Sequence, residues 1–171
     1  ISSEQLTRPL LEDFFMSADR FRALDHGTLA DRRELATRHT GRQLISLFYE
    51  PSTRTRLSFE LAAAKLGIGI VSTENAREFS SASKGETLED TIRVLDEYHA
   101  DILVMRHHET GAAARAVAID PAIRLINAGD GKGEHPTQAL LDTYTIYSEQ
   151  QRLDNLNIVL GGDLRQGRTA R

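Results

Sequence analysis

One stretch of the sequence, residues 43–65, constrains the fold more than any other. Residues 43–49 form an apolar run of strand length, and Pro51 follows it almost at once. Leu57 and Leu61 then recur at the spacing of a helix, and a glycine follows where that helix would end. This order predicts a strand, a tight turn and a helix.

The predicted first turn of that helix is polar and basic, with the sequence Ser52-Thr53-Arg54-Thr55-Arg56. Ser52 stands where an N-cap residue is expected. The first amides of a helix lack partners and the helix dipole is positive at this end, so such a turn attracts anions, phosphate above all. Arg54 and Arg56 add charge that can grip phosphate oxygens. A capped helix with surface arginines is the alternative, but the position directly after a strand favours a phosphate site.

The composition narrows the class of protein. The 171 residues, 40% of them hydrophobic, suit one ordinary globular domain with part of another. No apolar run approaches the roughly 18 residues that a membrane-spanning helix needs. The absence of cysteine excludes disulfides, thiolate metal sites and cysteine nucleophiles, and is compatible with a reducing cytosol. The formal net charge of −4 indicates no general affinity for nucleic acid, so arginine clusters are interpreted as local sites.

Helical and strand-like segments alternate along the whole chain. We predict helices at 7–24, 87–98, 111–118 and from 135 onward, a short helix or loop at 31–39, a polar loop at 74–84, a glycine-rich turn at 128–133, and further strands at 68–72, 102–105, 123–127 and 158–160. No hairpin signal interrupts this alternation. It therefore predicts an α/β fold, a parallel sheet flanked by helices on both faces, with the last strand as the first of a second α/β domain.

Three groups of polar side chains follow strands of the predicted sheet: residues 52–55, Arg106, and His135 with Gln138. The carboxyl ends of parallel strands share one rim, so a single pocket can use all three groups. The chemistry expected of that pocket is phosphate binding combined with polarisation of a neighbouring carbonyl.

The other histidines are interpreted as structural: His26, His39, His99, His107 and His108. The adjacent pair His107-His108 is expected to point apart on a strand, and no spaced set of carboxylates accompanies it. We therefore predict no metal site and no cofactor.

Six motifs, in this order, also match a known family. They are Phe48-Tyr49-Glu50-Pro51-Ser52-Thr53-Arg54-Thr55, Ser83-Lys84-Gly85-Glu86-Thr87, Val104-Met105-Arg106-His107, Asn127-Ala128-Gly129-Asp130-Gly131, His135-Pro136-Thr137-Gln138 and Gly162-Asp163-Leu164-Arg165-Gln166-Gly167-Arg168-Thr169. In these residues the chain resembles the aspartate/ornithine carbamoyltransferase family, and in particular its N-terminal carbamoyl-phosphate domain. The last two motifs favour aspartate over ornithine as the acceptor.

The resemblance implies a carbamoyltransferase of de novo pyrimidine biosynthesis. It would transfer the carbamoyl group of carbamoyl phosphate to the amine of L-aspartate, giving N-carbamoyl-L-aspartate and phosphate. Two alternatives stay open: transfer to ornithine, and a non-catalytic phosphate-binding domain. The resemblance also implies a homotrimer, with or without regulatory chains. The composition predicts a cytoplasmic location and neither a nucleic-acid nor a membrane partner.

The resemblance assigns the carbamoyl phosphate ligands to the predicted rim. The phosphate would be held by Ser52, Thr53, Arg54, Thr55 and Arg106. Thr55, Arg106 and His135 would face the carbonyl oxygen, where negative charge grows during attack. Gln138 would orient the carbamoyl nitrogen. The departing phosphate can accept the proton of the amine, so no protein base is required.

Further ligands are implied outside this rim. Ser80 and Lys84 would reach the pocket from a neighbouring subunit, with Ser81 or Ser83 as alternatives to Ser80 in the serine-rich run. Arg168, together with Lys84, would bind aspartate.

The resemblance also divides the chain into two parts. Residues 1–150 would form the carbamoyl-phosphate-binding domain, including the interdomain helix. Residues 151–171 would be the start of an aspartate-binding domain, truncated at Arg171 before the family's later aspartate ligands. The 171 residues alone are therefore expected to bind carbamoyl phosphate without the full activity.

Overall fold

The computed structural model describes residues 2–76 and 85–161. Within them the strands are β1 (Gln43–Phe48), β2 (Gly69–Thr73), β3 (Ile102–His107) and β4 (Leu125–Asp130). The helices are α1 (Arg8–Asp25), α2 (Leu29–Thr37), α3 (Thr53–Lys65), α4 (Leu88–Asp96), α5 (Ala112–Ile119) and α6 (Pro136–Gln150), preceded by a short 3-10 helix (Ser3–Gln5). The predicted alternation of strands and helices is confirmed.

The strands form one parallel sheet in the order β2-β1-β3-β4. From β1 the chain moves outward to β2, then returns past β1 to add β3 and β4 on the other side. The direction of winding therefore reverses between β1 and β3. In open parallel sheets such a reversal leaves a crevice at the carboxyl ends of the two strands, where ligands bind.

The two faces of the sheet bury separate apolar clusters. Ile45 and Leu47 of β1 belong to one cluster, together with residues of α4 and α5. The alternate residues Leu44 and Phe48 belong to the other, together with Ala63 of α3. Side chains along a strand point alternately to opposite faces, so a strand that is buried at every one of these positions must be covered on both sides. The predicted sheet with helices on both faces is confirmed.

Capping and aromatic packing fix the helices that precede the sheet. The segment predicted as a short helix or a loop is helix α2. Thr28 and Asp31 form a capping box at its start, in which each side chain accepts a hydrogen bond from the other's backbone amide.

Phe15 of α1 is buried, and its ring stacks on Tyr147 of α6 with centroids 4.9 Å apart. This contact holds α1 against α6.

The bounds of β4 differ more from the prediction than those of the other strands. β4 starts at Leu125, two residues later than predicted, and continues to Asp130 through residues predicted as a glycine-rich turn. Asn127 pairs with Met105 of β3, and Ala128 is fully buried. Pairing and burial at these positions outweigh the weak intrinsic strand preference of Asn, Gly and Asp.

Residues 158–160, predicted as the first strand of a second domain, form no strand. A strand exists through its pairing, and no strand of residues 2–76 or 85–161 pairs with this segment. Ile158, Val159 and Leu160 are accordingly 60%, 94% and 58% exposed. No helix in the described part of the chain is long and apolar enough to cross a membrane.

Candidate active site

A cleft of about 1340 Å³ opens at the crevice between β1 and β3. The helix that follows β1 packs on one face of the sheet, whereas the helix that follows β3 packs on the other. The cleft lies between α3 and α6, and α1 forms its apolar wall. Its polar end is formed by Ser52, Thr53, Arg54, Thr55, Arg106, His135, Thr137 and Gln138. The structure thus brings together all three groups of side chains that the sequence placed on one rim.

Two helices begin at this cleft. Ser52 is the N-cap residue of α3, as predicted, although its hydroxyl does not cap the helix. His135 is the N-cap residue of α6, with Pro136 in the first helical turn, and its ring does not cap that helix either. Both amino termini place the positive end of a helix dipole at the same space. An anion in the cleft would be stabilised from two sides.

Arg106 is held in place by two neighbours at the end of β3. Its Nη1 donates to the carbonyl oxygen of Ala128, 3.1 Å away, and its Nη2 lies 2.7 Å from Oε1 of Glu50. Only 14% of the arginine side chain is exposed. The partnership with Glu50 was missed from the sequence. Because a guanidinium can bind either a carboxylate or a phosphate, Glu50 uses a donor of Arg106 that could otherwise bind an anion.

The two arginines of the α3 turn have different environments. Arg54 is exposed and lines the cleft. Arg56, predicted to add charge to the same site, instead pairs with Glu60 at 3.2 Å and with Glu74 at 3.0 Å. The prediction for Arg56 was wrong because residues two apart on a helix face different directions.

His135 and Gln138 each have a polar neighbour on α6. The Oγ1 of Thr137 lies 3.2 Å from Nδ1 of His135. The side-chain amide nitrogen of Gln138 donates to Asp142, 2.9 Å away. That bond occupies the donor end of the Gln138 amide and leaves its carbonyl oxygen as the acceptor end, which is the end that a carbamoyl N–H requires.

Asp130 joins the loops that carry these groups. It is 7% exposed, and its carboxylate accepts from the amide of Gly111 at 3.0 Å and from the amide of Glu134 at 2.6 Å. Gly131, with φ +53°, donates to the carbonyl oxygen of His107 at 2.8 Å, and a Cβ at this glycine would lie 2.6 Å from backbone atoms. The loop after β3 and the loop before His135 are therefore fastened to each other.

The amino-terminal residues also contact this loop. Ser3 donates its amide to Glu134 at 2.7 Å, and the Ser2 hydroxyl lies 3.2 Å from the same carboxylate. Burial alone would raise the pKa of Glu134, but the hydrogen bonds from Ser3 and Ser2 outweigh it and lower this pKa. No periodicity in the sequence signals a contact between residues so far apart in the chain.

Behind Arg106, on the other face of the sheet, lies a stack of rings. His107 is 4% exposed, and its ring centroid lies 4.4 Å from those of Tyr49 and His108. His107 and His108 were predicted to point apart, which is wrong because β3 ends at His107 and strand alternation stops there. Burial, and after it the nearby His108, lowers the pKa of His107 to about 4. His107 is therefore neutral at physiological pH.

Several predicted ligands lie outside the described residues: Ser80, Ser81, Ser83, Lys84 and Arg168. Within residues 2–76 and 85–161, no three His, Asp or Glu side chains are placed together as metal ligands would be.

Known proteins similar to this chain were found by sequence and by structure. Residues 1–148 match the family described as aspartate/ornithine carbamoyltransferase, carbamoyl-P binding domain. The chain is 52% identical over 171 residues to the chloroplastic aspartate carbamoyltransferase of rice (Oryza sativa subsp. japonica), covering 100% of this chain and 47% of the rice protein. It is 63% identical over 131 residues to the chloroplastic aspartate carbamoyltransferase of Arabidopsis thaliana, covering 77% of this chain and 33% of that protein.

Solved structures similar to this chain include the same kind of enzyme as these relatives. The aspartate transcarbamoylase of Trypanosoma cruzi in complex with carbamoyl phosphate and aspartate is 42% identical and superposes with a TM-score of 0.84, covering 99% of this chain and 50% of that one. The chain thus spans about half the length of the relatives that it matches along its whole length. With its fold, its rim of polar groups and its matched residues, this chain belongs to the aspartate/ornithine carbamoyltransferase family, as a carbamoyl-phosphate-binding domain.

Proposed function

We propose that the protein is an aspartate carbamoyltransferase of pyrimidine biosynthesis. The observation that carries this proposal is the cleft in which two helix amino termini, Arg54 and Arg106 surround one space. Such an arrangement suits a small dianion. The relatives from rice and Arabidopsis are aspartate carbamoyltransferases, and the Trypanosoma cruzi enzyme binds carbamoyl phosphate and aspartate.

In this proposal the phosphate of carbamoyl phosphate lies at the amino terminus of α3. The amides and hydroxyls of Ser52, Thr53 and Thr55 donate to its oxygens, and Arg54 supplies charge. Arg106 exchanges Glu50 for the phosphate. Because the arginine stays anchored to Ala128, it does not have to be reordered when the ligand binds.

The carbonyl oxygen of the carbamoyl group then faces Thr55, Arg106 and His135. Aspartate attacks the carbonyl carbon through its uncharged amine, a C–N bond forms, and the carbonyl oxygen gains negative charge. Donors already aimed at that oxygen stabilise the transition state more than the ground state. The carbon–oxygen bond to phosphate breaks, and the departing phosphate takes the proton of the amine, so charge and protons balance without a protein base.

Gln138 orients the carbamoyl group in this scheme. Its carbonyl oxygen accepts an N–H of the carbamoyl nitrogen, while Asp142 holds the amide nitrogen. The carbamoyl plane is thereby fixed, with its oxygen toward His135 and its leaving phosphate toward α3.

The acceptor can be tested with the protein expressed from its full reading frame. Purified protein with carbamoyl phosphate should release phosphate and form N-carbamoyl-L-aspartate when L-aspartate is added, and give at least a hundredfold less product with L-ornithine at about the same concentration. Product formed only from ornithine would show the alternative transcarbamoylase. Phosphate binding with neither product would show a non-catalytic domain.

We further propose that the full protein is a homotrimer in which Ser80 and Lys84 complete the pocket of a neighbouring subunit. Exposed apolar side chains on α3, a helix that borders the cleft, support an intersubunit surface: Leu57 and Leu61, one turn apart, are 51% and 59% exposed. Regulatory chains remain a separate prediction from the sequence.

Subunit sharing predicts complementation between two inactive variants. Lys84→Ala and His135→Ala should each be nearly inactive, yet a mixture should regain activity, because some pockets in mixed trimers receive both unaltered residues. The measurement is product formation after mixing, with subunit exchange verified by native mass spectrometry. No recovery after verified exchange would assign Lys84 to its own subunit's pocket or remove it from catalysis.

The remaining assignments are proposals of the same kind. Residues 1–150 would form the carbamoyl-phosphate domain, and residues 151–171 would begin the aspartate-binding domain. Arg168 with Lys84 would bind the aspartate carboxylates. A cytoplasmic location stays a prediction from the sequence, and it differs from the chloroplastic location of the plant relatives.

A further inference from the structure

The first turn of α6 contains a threonine whose hydroxyl faces an imidazole. Thr137 lies two residues after His135, and its Oγ1 is 3.2 Å from Nδ1 of the histidine. Both residues line the cleft. The motif match named Thr137 without giving it a role.

This use of a threonine differs from that of other threonines on the same helix. Thr143 donates its hydroxyl to the carbonyl oxygen of Ala139 at 2.6 Å, and Thr145 donates to that of Leu141 at 2.9 Å. Donation to the carbonyl four residues earlier is the ordinary behaviour of a threonine inside a helix. Thr137 lies in the first turn, where no helical carbonyl stands four residues earlier, and its hydroxyl lies beside the ring of His135.

A neutral imidazole has one donor nitrogen and one acceptor nitrogen, and a partner of either nitrogen decides which is which. If Nδ1 carried the proton, Nε2 would present a lone pair to ligand oxygens in a cleft built for an anion. If the Thr137 hydroxyl donates to Nδ1, the proton stays on Nε2, which then becomes a donor.

We propose that Thr137 is a positioning residue that donates to His135 Nδ1 and keeps the imidazole proton on Nε2. This inference rests on the proposed function, because it supplies the N–H that faces the carbonyl oxygen of carbamoyl phosphate. Thr137 itself does not touch the reacting atoms. It sets the tautomer and the plane of the ring that does.

The test compares three variants of the full-length protein. Thr137→Val keeps the shape but removes the hydroxyl, Thr137→Ser keeps the hydroxyl, and Thr143→Val removes a matched hydroxyl on the same helix. The tautomer of His135 is read by nitrogen NMR of histidine-labelled protein saturated with phosphonoacetamide, a stable analogue of carbamoyl phosphate. Resonance assignment uses the spectrum of His135→Ala.

We expect Nε2 to carry the proton in the unaltered protein, in Thr137→Ser and in Thr143→Val, and both tautomers to appear in Thr137→Val. We also expect kcat to fall about ten- to a hundredfold in Thr137→Val, with KM for carbamoyl phosphate changed less than about threefold. A single Nε2–H tautomer in Thr137→Val, or an equal kcat loss in Thr137→Ser, would overturn the proposal. If the unaltered protein formed no N-carbamoyl-L-aspartate, the proposed function would fail, while the NMR comparison would still decide the role of Thr137.

Discussion

Two adjacent residues of β3, Arg106 and His107, end up in opposite environments. Arg106 faces the cleft, where its charge is balanced by Glu50, a partner that is itself 26% exposed. His107 faces the other side of the sheet, buried between two rings and neutral. Strand alternation places the two side chains on opposite faces of the sheet. The cleft side keeps charges that a ligand can recruit, whereas the stacked side keeps uncharged rings that support the strand end.

This comparison predicts that changes on the cleft side affect activity and changes on the stacked side affect stability. The largest effect is expected for Arg54→Ala. Its kcat/KM should fall roughly a hundred- to a thousandfold, which is the rate loss typical of removing one preorganised donor. The reason is that the charge of this arginine serves only the bound phosphate. The free energy of unfolding should change by less than about 0.5 kcal/mol, since the side chain is exposed.

Arg93→Ala is the matched control for this change, because Arg93 is also an exposed helical arginine and pairs with Asp90. It should leave both activity and stability nearly unaltered. Steady-state kinetics and urea unfolding measure the two quantities on the same samples. If Arg54→Ala lost stability and activity in proportion, the separation of the two sides would be refuted.

The next largest effect is the pH dependence of stability that His107 causes. The pKa of about 4 in the folded protein lies below the ordinary value of 6.5, so the unfolded chain binds this proton more readily. The contribution of His107 to stability is therefore intact above pH 6.5 and is lost as the pH falls toward 4, by up to about 3 kcal/mol. Urea unfolding between pH 7.5 and 4.5 measures it.

In His107→Phe this part of the pH dependence should disappear, while kcat at pH 7.5 should stay within about threefold of the unaltered value, because the ring lies behind the cleft. His39→Phe serves as a control, since His39 is exposed. An unchanged slope of stability against pH in His107→Phe would show that the buried ring is not what titrates.

The smallest effect is expected at Glu50. The carboxylate of Glu50 forms an ion pair with the guanidinium of Arg106 and so competes with an anion for it. The variant Glu50→Gln should therefore bind inorganic phosphate about three- to tenfold more tightly, or by about 1 kcal/mol. Glu60→Gln is the control, since Glu60 pairs with Arg56 away from the cleft. Calorimetric titration with phosphate measures both. Equal or weaker binding by Glu50→Gln would mean that Glu50 does not compete with the ligand.

The parts of the molecule that sequence reasoning predicted are those with local causes. The strand, turn and helix around Ser52 follow from apolar spacing and capping within a few residues, and the shared rim of Arg106 and His135 follows from parallel topology. The bounds of β4 did not follow, because burial of Ala128 against β3 decided them.

Two kinds of contact were missed. Some join residues that are distant in the chain, and one joins residues that a helix brings onto the same face. Arg106 meets Glu50 across neighbouring strands, and Glu134 meets Ser3 across 131 positions. Neither pairing leaves a periodic signal. The diversion of Arg56 to Glu60 is an i,i+4 pair and was visible in the sequence in principle, since opposite charges at that spacing attract on a helix.

The central claim is that the cleft between β1 and β3 binds carbamoyl phosphate, and calorimetric binding of phosphonoacetamide to the full-length protein tests it most directly. The account predicts one molecule bound per chain, affinity reduced at least about a hundredfold in Arg106→Met, and affinity within about twofold of the unaltered value in His107→Phe. Equal affinity in Arg106→Met and in the unaltered protein would contradict the account and place the ligand outside this cleft.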